Sequence, residues 1–587
     1  MHLKELLLSE VDRSWVLPCY LNISNSLKSL DLTNTSLQGK LPDNIFGLHY
    51  LEKLDMSVGH LQFLNNLRLY SCGLVGSIPK SLVNLRHLTI HDLSSNKLKG
   101  TLPSLLFTLP FIENINLYGN MLSRGLPSEF FSCRSLKSNQ IKGPFPPSIC
   151  GMSSLYDMDI SNNSFDGVLP QCLGNITSYL KFLNVKSNKL QGSFPSSLCN
   201  MSLLVSLDMS DNSFSGGIPQ CFGNITSSLQ MVDMGNNDFY GIIPNVYECG
   251  RLQGLILNGN RLQGEVPRSL SKCQSLKVLD LGNNQLNGTF PGLLGDLPEL
   301  QVLVLKSNNF HGRIEITSTT KNAFPNIRVL ILSHNEFAGP LPQTFFQNFS
   351  AMKNTNTVKS STTPSYLVMG WKYYYVTTSV KGADLEFPKI TVDYIILDLS
   401  NNRFVGEIPS VIGCLTSLIV LDMSHNNLTR QIQYVLGNLS DIDSLDLFWN
   451  QLTGEIPQAL ASLKFFGFLN LSQNHLKGRI PSGGQFNTFG TSFEGNPKLC
   501  GFPLQKTCGL PHEPQHEVDG DGDEDGESRF TWRVVMLGFG CGTLIGLVMG
   551  YVMLSTGTPK WFNAIADAGE HVIRTRGNKR KYVYIGR

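Results

Sequence analysis

The stretch LDMSDNSFSGGIP at 207–219 returns as LDLGNNQLNGTFP at 279–291 and as LDLSNNRFVGEIP at 397–409. The LxL core reads as a short strand with its leucines turned inward. The asparagine carries a donor and an acceptor, so it can satisfy backbone groups buried between neighbouring turns of chain. The glycine of LxGxIP suits a turn needing permissive dihedrals, and the proline fixes the next φ.

The asparagine slot recurs at near-even steps: Asn163, Asn188, Asn212, Asn237, Asn260, Asn284, Asn308 and Asn335. It continues at a constant step through Asn402, Asn426, Asn450 and Asn474. Upstream it falls at Val11, Thr35, Gly59, Cys72, Asn96, Asn120 and Asn139. That makes 19 coils. No single coil can bury its own leucines, so the coils must stack.

The pattern LxxLxxLxLxxNxLxGxIP resembles the plant-specific leucine-rich repeat over about residues 1–345 and 391–500. The resemblance implies an α/β-type solenoid: a right-handed superhelix with a concave parallel β-sheet. Four coils before the end, the step from Asn335 to Asn402 is far longer than one period. The excess reads as an island domain at 346–390 on the side of the solenoid. Leucine-rich-repeat receptor-like proteins of plants carry an island there. Its aromatic residues Tyr366, Trp371, Tyr373, Tyr374 and Tyr375 either line a ligand pocket or pack the island down.

Two coils are short, since the steps from Gly59 to Cys72 and from Asn120 to Asn139 fall below the period. In the second, CRSLKSN is expected to lack its strand. The first residues, MHLKELLLSEV, already read as a repeat strand. Neither an apolar leader nor the family's N-terminal cysteine cap precedes them, so the expectation is a missing N-terminus.

Charge is near balance at +2, with 16% charged and 41% hydrophobic residues. That opposes a nucleic-acid binder and a disordered chain. Thirteen cysteines are too few for a disulfide miniprotein. Cys150 with Cys172, Cys199 with Cys221, and Cys249 with Cys273 each stand about one coil apart, as disulfides between neighbouring coils or as buried thiols. Cys500 and Cys508 match the family's C-terminal cap, here 483–509. Eleven N-x-S/T acceptors occur at Asn22, Asn34, Asn162, Asn175, Asn200, Asn224, Asn287, Asn348, Asn427, Asn438 and Asn470. Their number fits glycosylation in the secretory pathway.

Residues 534–554 form an unbroken run without a charge, long enough for a helix to span the bilayer core. Before them, 510–530 is acidic, with eight acids at 513–527. After them, the tail 555–587 carries seven Lys/Arg against two acids, which places it in the cytoplasm. Gly538, Gly542, Gly546 and Gly550 recur on every fourth position, a groove where another membrane helix can approach. In receptor-like proteins such glycines are thought to pair with an adaptor receptor kinase. Asp521, Asp523 and Asp525 imitate a calcium loop, but Trp532 stands where its bidentate glutamate belongs, so no metal site is expected. No cofactor, nucleophile–base pair or kinase motif is read anywhere, and the chain is expected not to be an enzyme.

The resemblance therefore implies a type I plasma-membrane receptor-like protein, N-terminus outside. It would bind an extracellular peptide or glycan-type ligand, with a co-receptor kinase ectodomain as a further partner, in plant defence or development. Phe448 and Trp449 replace the small residues of the LDLSxN turn and join the island aromatics as interface candidates. Lys186, Lys306 and His334 are further solvent-facing strand positions. The alternatives are a truncated non-functional relative and a polygalacturonase-inhibitor-like wall defence protein.

Overall fold

A computed structural model describes residues 74–508 with short gaps, the longest at 354–365, and five strand segments before residue 74. These belong to one unit, Met1–Cys508. The acidic stretch, the apolar segment 534–554 with its four glycines, and the tail lie outside the described residues. Among the described residues no helix is long and apolar enough to cross a membrane.

Nineteen three-residue strands, from Glu5–Leu7 to Phe468–Asn470, pair in parallel into one sheet. Leu279 lies in register between Leu255 and Leu303. A one-residue slip would turn that whole leucine row out of the core, so the repeat holds the register. Both short coils keep their strands. Lys53–Asp55 pairs directly with Asn66–Arg68. The expectation that CRSLKSN had lost its strand is corrected. Cys133–Ser135 pairs with Asn114–Asn116 and Asp157–Asp159, with a register shift on the first side. Parallel pairing uses backbone groups, and Leu136 still fills the core.

The asparagine ladder closes the coil junctions. Asn284 Nδ2 donates to Leu257 O (3.0 Å) in the preceding coil and to Leu281 O (3.1 Å) in its own. Its Oδ1 accepts from Leu262 N at 3.0 Å. The ladder has one rung beyond the repeats: Asn496, in the C-terminal cap, accepts from Leu476 N at 3.0 Å.

The LxGxIP segments build a further layer that the repeat pattern alone did not show. Strands from Gln191–Ser193 to Asn427–Leu428 form a nine-stranded parallel lateral sheet. Its glycines hold positive φ, +92° at Gly288, which a side chain would strain. Opposite the large sheet, short helices such as Ser410–Cys414 and Tyr434–Asn438 stack coil on coil. Gly413 makes that stacking close, since a Cβ there would run into the backbone of Val435. Cys150–Cys172, Cys199–Cys221 and Cys249–Cys273 are disulfides between neighbouring coils, with Cα atoms 4.9 to 5.7 Å apart. Cys500–Cys508 closes the cap. Cys414 is a free, exposed thiol.

The described part of the island does not sit at the side of the solenoid. Its first helix, Ser350–Lys353, starts on the helix side, held by Phe345, Phe346 and Phe349 packed edge to face. Its later residues Leu367, Tyr374 and Ile390 are buried on the outer face of the large sheet. There they cover Val302, Val304, Val329, Ile331, Ile396 and Val420. In 301–305 and 328–332 the alternation of apolar and polar residues breaks down, because both sheet faces are buried. Removing each such side chain from water contributes about 1.5–3 kcal/mol.

Candidate ligand and partner surface

On the outer sheet face eight of the described coils carry an aspartate whose carboxylate caps the amide two residues on. Asp280 accepts from Gly282 N at 3.0 Å, Asp398 from Ser400 N at 3.1 Å, and Asp446 from Phe448 N at 2.9 Å. Serine hydroxyls add to the set, Ser333 and Ser400 each donating to Asp398 at 2.7 Å. These turns hold the strand ends in place. Burial is the main force on the carboxyls: it raises Asp280 and Asp446 to about 6. Asp422 is pushed well up by burial and by the neighbouring Asp398 and Asp446.

The island meets this row. Tyr374 is 1% exposed, and its hydroxyl donates to Asp280 Oδ2 at 2.9 Å. Of the island aromatics it is the one that is buried among the described residues, and it packs the island down. Where the chain leaves the island, Arg328 donates to Val392 O at 2.7 Å. Trp371 and Tyr375 lie outside the described residues. Tyr373 lies in the strand Lys372–Tyr373, which pairs with Val368–Met369.

Past the island the surface changes character. The residue before each ladder asparagine is left-handed: Asp211, Asn236, Asn283, Asn401, His425, Trp449 and Gln473 all have φ between +50° and +55°. Asparagine and aspartate tolerate this region, whereas a bulky side chain there is an outlier. Trp449 occupies it with φ +54° and 55% of its surface exposed. The coil enforces the geometry through Trp449 N to Ser472 O (3.2 Å) and Asn426 N to Trp449 O (3.3 Å). His425 stacks on the indole with centroids 6.0 Å apart, and Phe448 meets His425 edge to face at 4.9 Å. Phe448 is half-buried. Burial, and then the nearby His334, hold the His425 imidazole below its ordinary value. His334 is exposed, with Nε2 3.4 Å from Asn401 Nδ2.

A second exposed aromatic group lies ahead of the island. Lys137 Nζ lies 5.8 Å from the Tyr118 ring centroid, and Lys181 Nζ 5.0 Å from that of Tyr156. Lys186 is half-buried and pairs with Asp211 at 3.1 Å, and Lys306 is half-buried as well. Both groups offer ring faces, with imidazoles and an amide in the first and ammonium groups in the second, which suits stacking and hydrogen bonding to a partner. Among the described residues no cluster of His, Cys, Asp or Glu is placed to hold a metal ion.

The acceptor asparagines divide. Asn162, Asn200, Asn224, Asn287, Asn427 and Asn438 are exposed, while Asn348 and Asn470 are half-buried. Asn470 Oδ1 is already engaged by Ser472 N (3.2 Å) and Ser472 Oγ (2.6 Å). Asn175 lies in the helix Leu173–Ile176. Asn22 and Asn34 lie outside the described residues.

Leucine-rich-repeat models match residues 250–310 and seven further stretches, among them 26–48, 203–225 and 441–463. The chain is 56% identical over 339 residues to Receptor-like protein 9DC3 of Solanum pimpinellifolium, covering 57% of this chain and 39% of that protein. It is 39% identical over 432 residues to Receptor-like protein 53 of Arabidopsis thaliana, covering 72% of this chain and 39% of that protein. The chain thus spans about two fifths of the length of these relatives. Among solved structures, the plant peptide hormone receptor RGFR1 in complex with RGF2 aligns with a TM-score of 0.63. That alignment has 27% identity and covers 78% of this chain and 72% of that one. The ectodomain of the Arabidopsis receptor kinase HAESA, bound to an IDA peptide hormone, aligns at 0.57 with 27% identity, over 83% and 78%.

Proposed function

Since the solenoid is a leucine-rich-repeat domain homologous to those of plant receptor-like proteins, we propose that this chain is a non-enzymatic cell-surface receptor. It binds an extracellular ligand on the outer sheet face. It anchors through residues 534–554 and signals through an associated receptor kinase. The observation that carries the reading is Trp449: a large exposed ring held in a left-handed slot that the other described coils give to asparagine, aspartate, serine, glycine, histidine or glutamine. Strain of this kind persists where function uses the side chain. The peptide complexes of RGFR1 and HAESA support a peptide as the ligand class here. Phe448 and Trp449, just past the island, serve the co-receptor ectodomain, and the island serves the ligand. The four glycines from Gly538 to Gly550 serve the adaptor kinase.

The placement is tested on intact plant cells. A protease added outside should cut the solenoid and leave a tag on residue 587 protected. A tag digested from outside, with the solenoid untouched, would overturn the orientation and the receptor reading with it.

A further inference from the structure

Five glycan acceptors share one place in the repeat. Asn200 and Asn438 end the helices Ser196–Asn200 and Tyr434–Asn438. Asn224 lies in Phe222–Ile225, Asn175 in Leu173–Ile176, and Asn348 caps the end of Gln343–Gln347. All therefore lie on the helix side, opposite the large sheet. Asn427 is on the lateral sheet.

Next to four of these asparagines stands an exposed large apolar side chain. Leu203 (45% exposed) follows Asn200 by three positions. Tyr247 (64%) lies over Gly223, with its amide on Gly223 O at 3.4 Å, beside Asn224. Val405 (41%) is the register partner of Asn427. Tyr434 (73%) begins the helix that Asn438 ends. Exposed apolar surface on a soluble face is a liability unless something covers it. An N-linked glycan is bulky and hydrophilic, and the carbon-bound face of its first sugar packs on a ring or an aliphatic side chain.

We propose that N-linked glycans on Asn200, Asn224, Asn427 and Asn438 lie over Leu203, Tyr247, Val405 and Tyr434. They shield the helix side and part of the lateral sheet. Tyr118, Tyr156 and Trp449 flank strands of the large sheet, away from those four asparagines, and remain for partners. The inference rests on the extracellular placement above. In the attachment step the asparagine Nδ2 bonds to sugar C1 of a lipid-diphosphate-linked oligosaccharide. The C1–O bond to the diphosphate breaks, the amide loses one proton, and the lipid diphosphate leaves. The step precedes folding, so Thr226, the hydroxyl residue of the Asn224 acceptor sequence, is free to become buried afterwards, with its hydroxyl on Glu248 O at 2.7 Å. Asn287 supplies the control: it is exposed, but its register partner is the polar Asn309.

The full chain, placed behind a cleavable secretion signal in plant cells, is mapped by glycopeptide mass spectrometry. The peptides of all four asparagines should carry the mass of a glycan. Asn438→Gln should increase binding of an apolar-surface dye. Adding Tyr434→Ser should abolish that increase, and Asn287→Gln should cause none. If Asn438→Gln does not accumulate, peptide N-glycosidase treatment of the folded wild-type protein against its Tyr434→Ser variant gives the same readout. Four bare asparagines beside a glycosylated Asn287 or Asn162 would overturn the shielding alone, as would a dye increase that Tyr434→Ser leaves in place. A signal-bearing chain with no glycan at any acceptor would overturn the extracellular placement as well.

Discussion

His91 lies in register with Leu67 and Ile115, in the strand slot where other coils place an aliphatic side chain. It is fully buried, and neither ring nitrogen has a hydrogen-bond partner among the described residues. Burial lowers its pKa from 6.5 to about 4. The unfolded chain therefore binds the proton better, and these coils lose stability as pH falls from about 6.5 towards 4. His91→Leu should stabilise them by about 2 kcal/mol, by removing an unsatisfied polar group and filling the slot. Slower hydrogen exchange at 88–117, and loss of the acid sensitivity there, would check this. Trp449 shows the opposite balance of stability and use. A left-handed position costs most residues about 1–2 kcal/mol, and asparagine far less. Trp449→Asn should leave coil stability unchanged or slightly higher while weakening capture of the partner ectodomain. A marked drop in melting temperature would show that the indole is core.

The island is a cover built on one hydroxyl and a row of aliphatic side chains. Tyr374→Phe removes the donor to Asp280 and leaves a buried carboxyl with one partner fewer. The expected cost is about 1–2 kcal/mol, localised to the island's contact with the sheet. Hydrogen exchange should rise at Val302–Val304 and Val329–Ile331 and stay level in the strands before Met231. Uniform destabilisation would mean that the island and the coils unfold together. Because repeat coils contact mainly their neighbours, a local response is the physical expectation.

Over the solenoid the buried carboxyls set a pH response. Asp280 and Asp446 have folded values of about 6 against an ordinary 3.8, so the native state holds protons that the unfolded chain releases. Their contribution is fully present below about 3.8 and lost as pH rises through about 6, on the order of 3 kcal/mol for each. The coils around the island should thus melt later at about pH 5 than at about pH 7.5, the reverse of the His91 region. Asp446→Asn should flatten that dependence, and an unchanged slope would refute the assignment. Across the membrane, the proposed coupling rests on glycines. Gly542→Leu with Gly546→Leu fills the groove while the segment stays apolar, so surface level should hold and co-precipitation of the partner kinase should fall sharply. Unchanged co-precipitation would shift the coupling to the acidic stretch at 513–527.

The coil count, the leucine core and the asparagine ladder were all readable in one dimension, because a stacked repeat repeats its contacts at the same spacing as its residues. Asn284 meets Leu257 and Leu262 because each coil is one period long. The three cysteine pairs between coils were readable as candidates for the same reason. The lateral sheet, the rung at Asn496 and the place of the island were not. The first needs LxG segments to align across coils, and the second lies in a cap outside the period. The island breaks the period altogether, so its path depends on which face can bury it. Val302, Val304, Val329 and Ile331 were a signal: apolar residues at positions facing out of a one-sided sheet require a cover. What lies over them was decided only in three dimensions. Tyr374 turns inward onto Asp280 while Trp449 stays in water, and the first of these rests on a contact between side chains 94 positions apart, which no local pattern encodes.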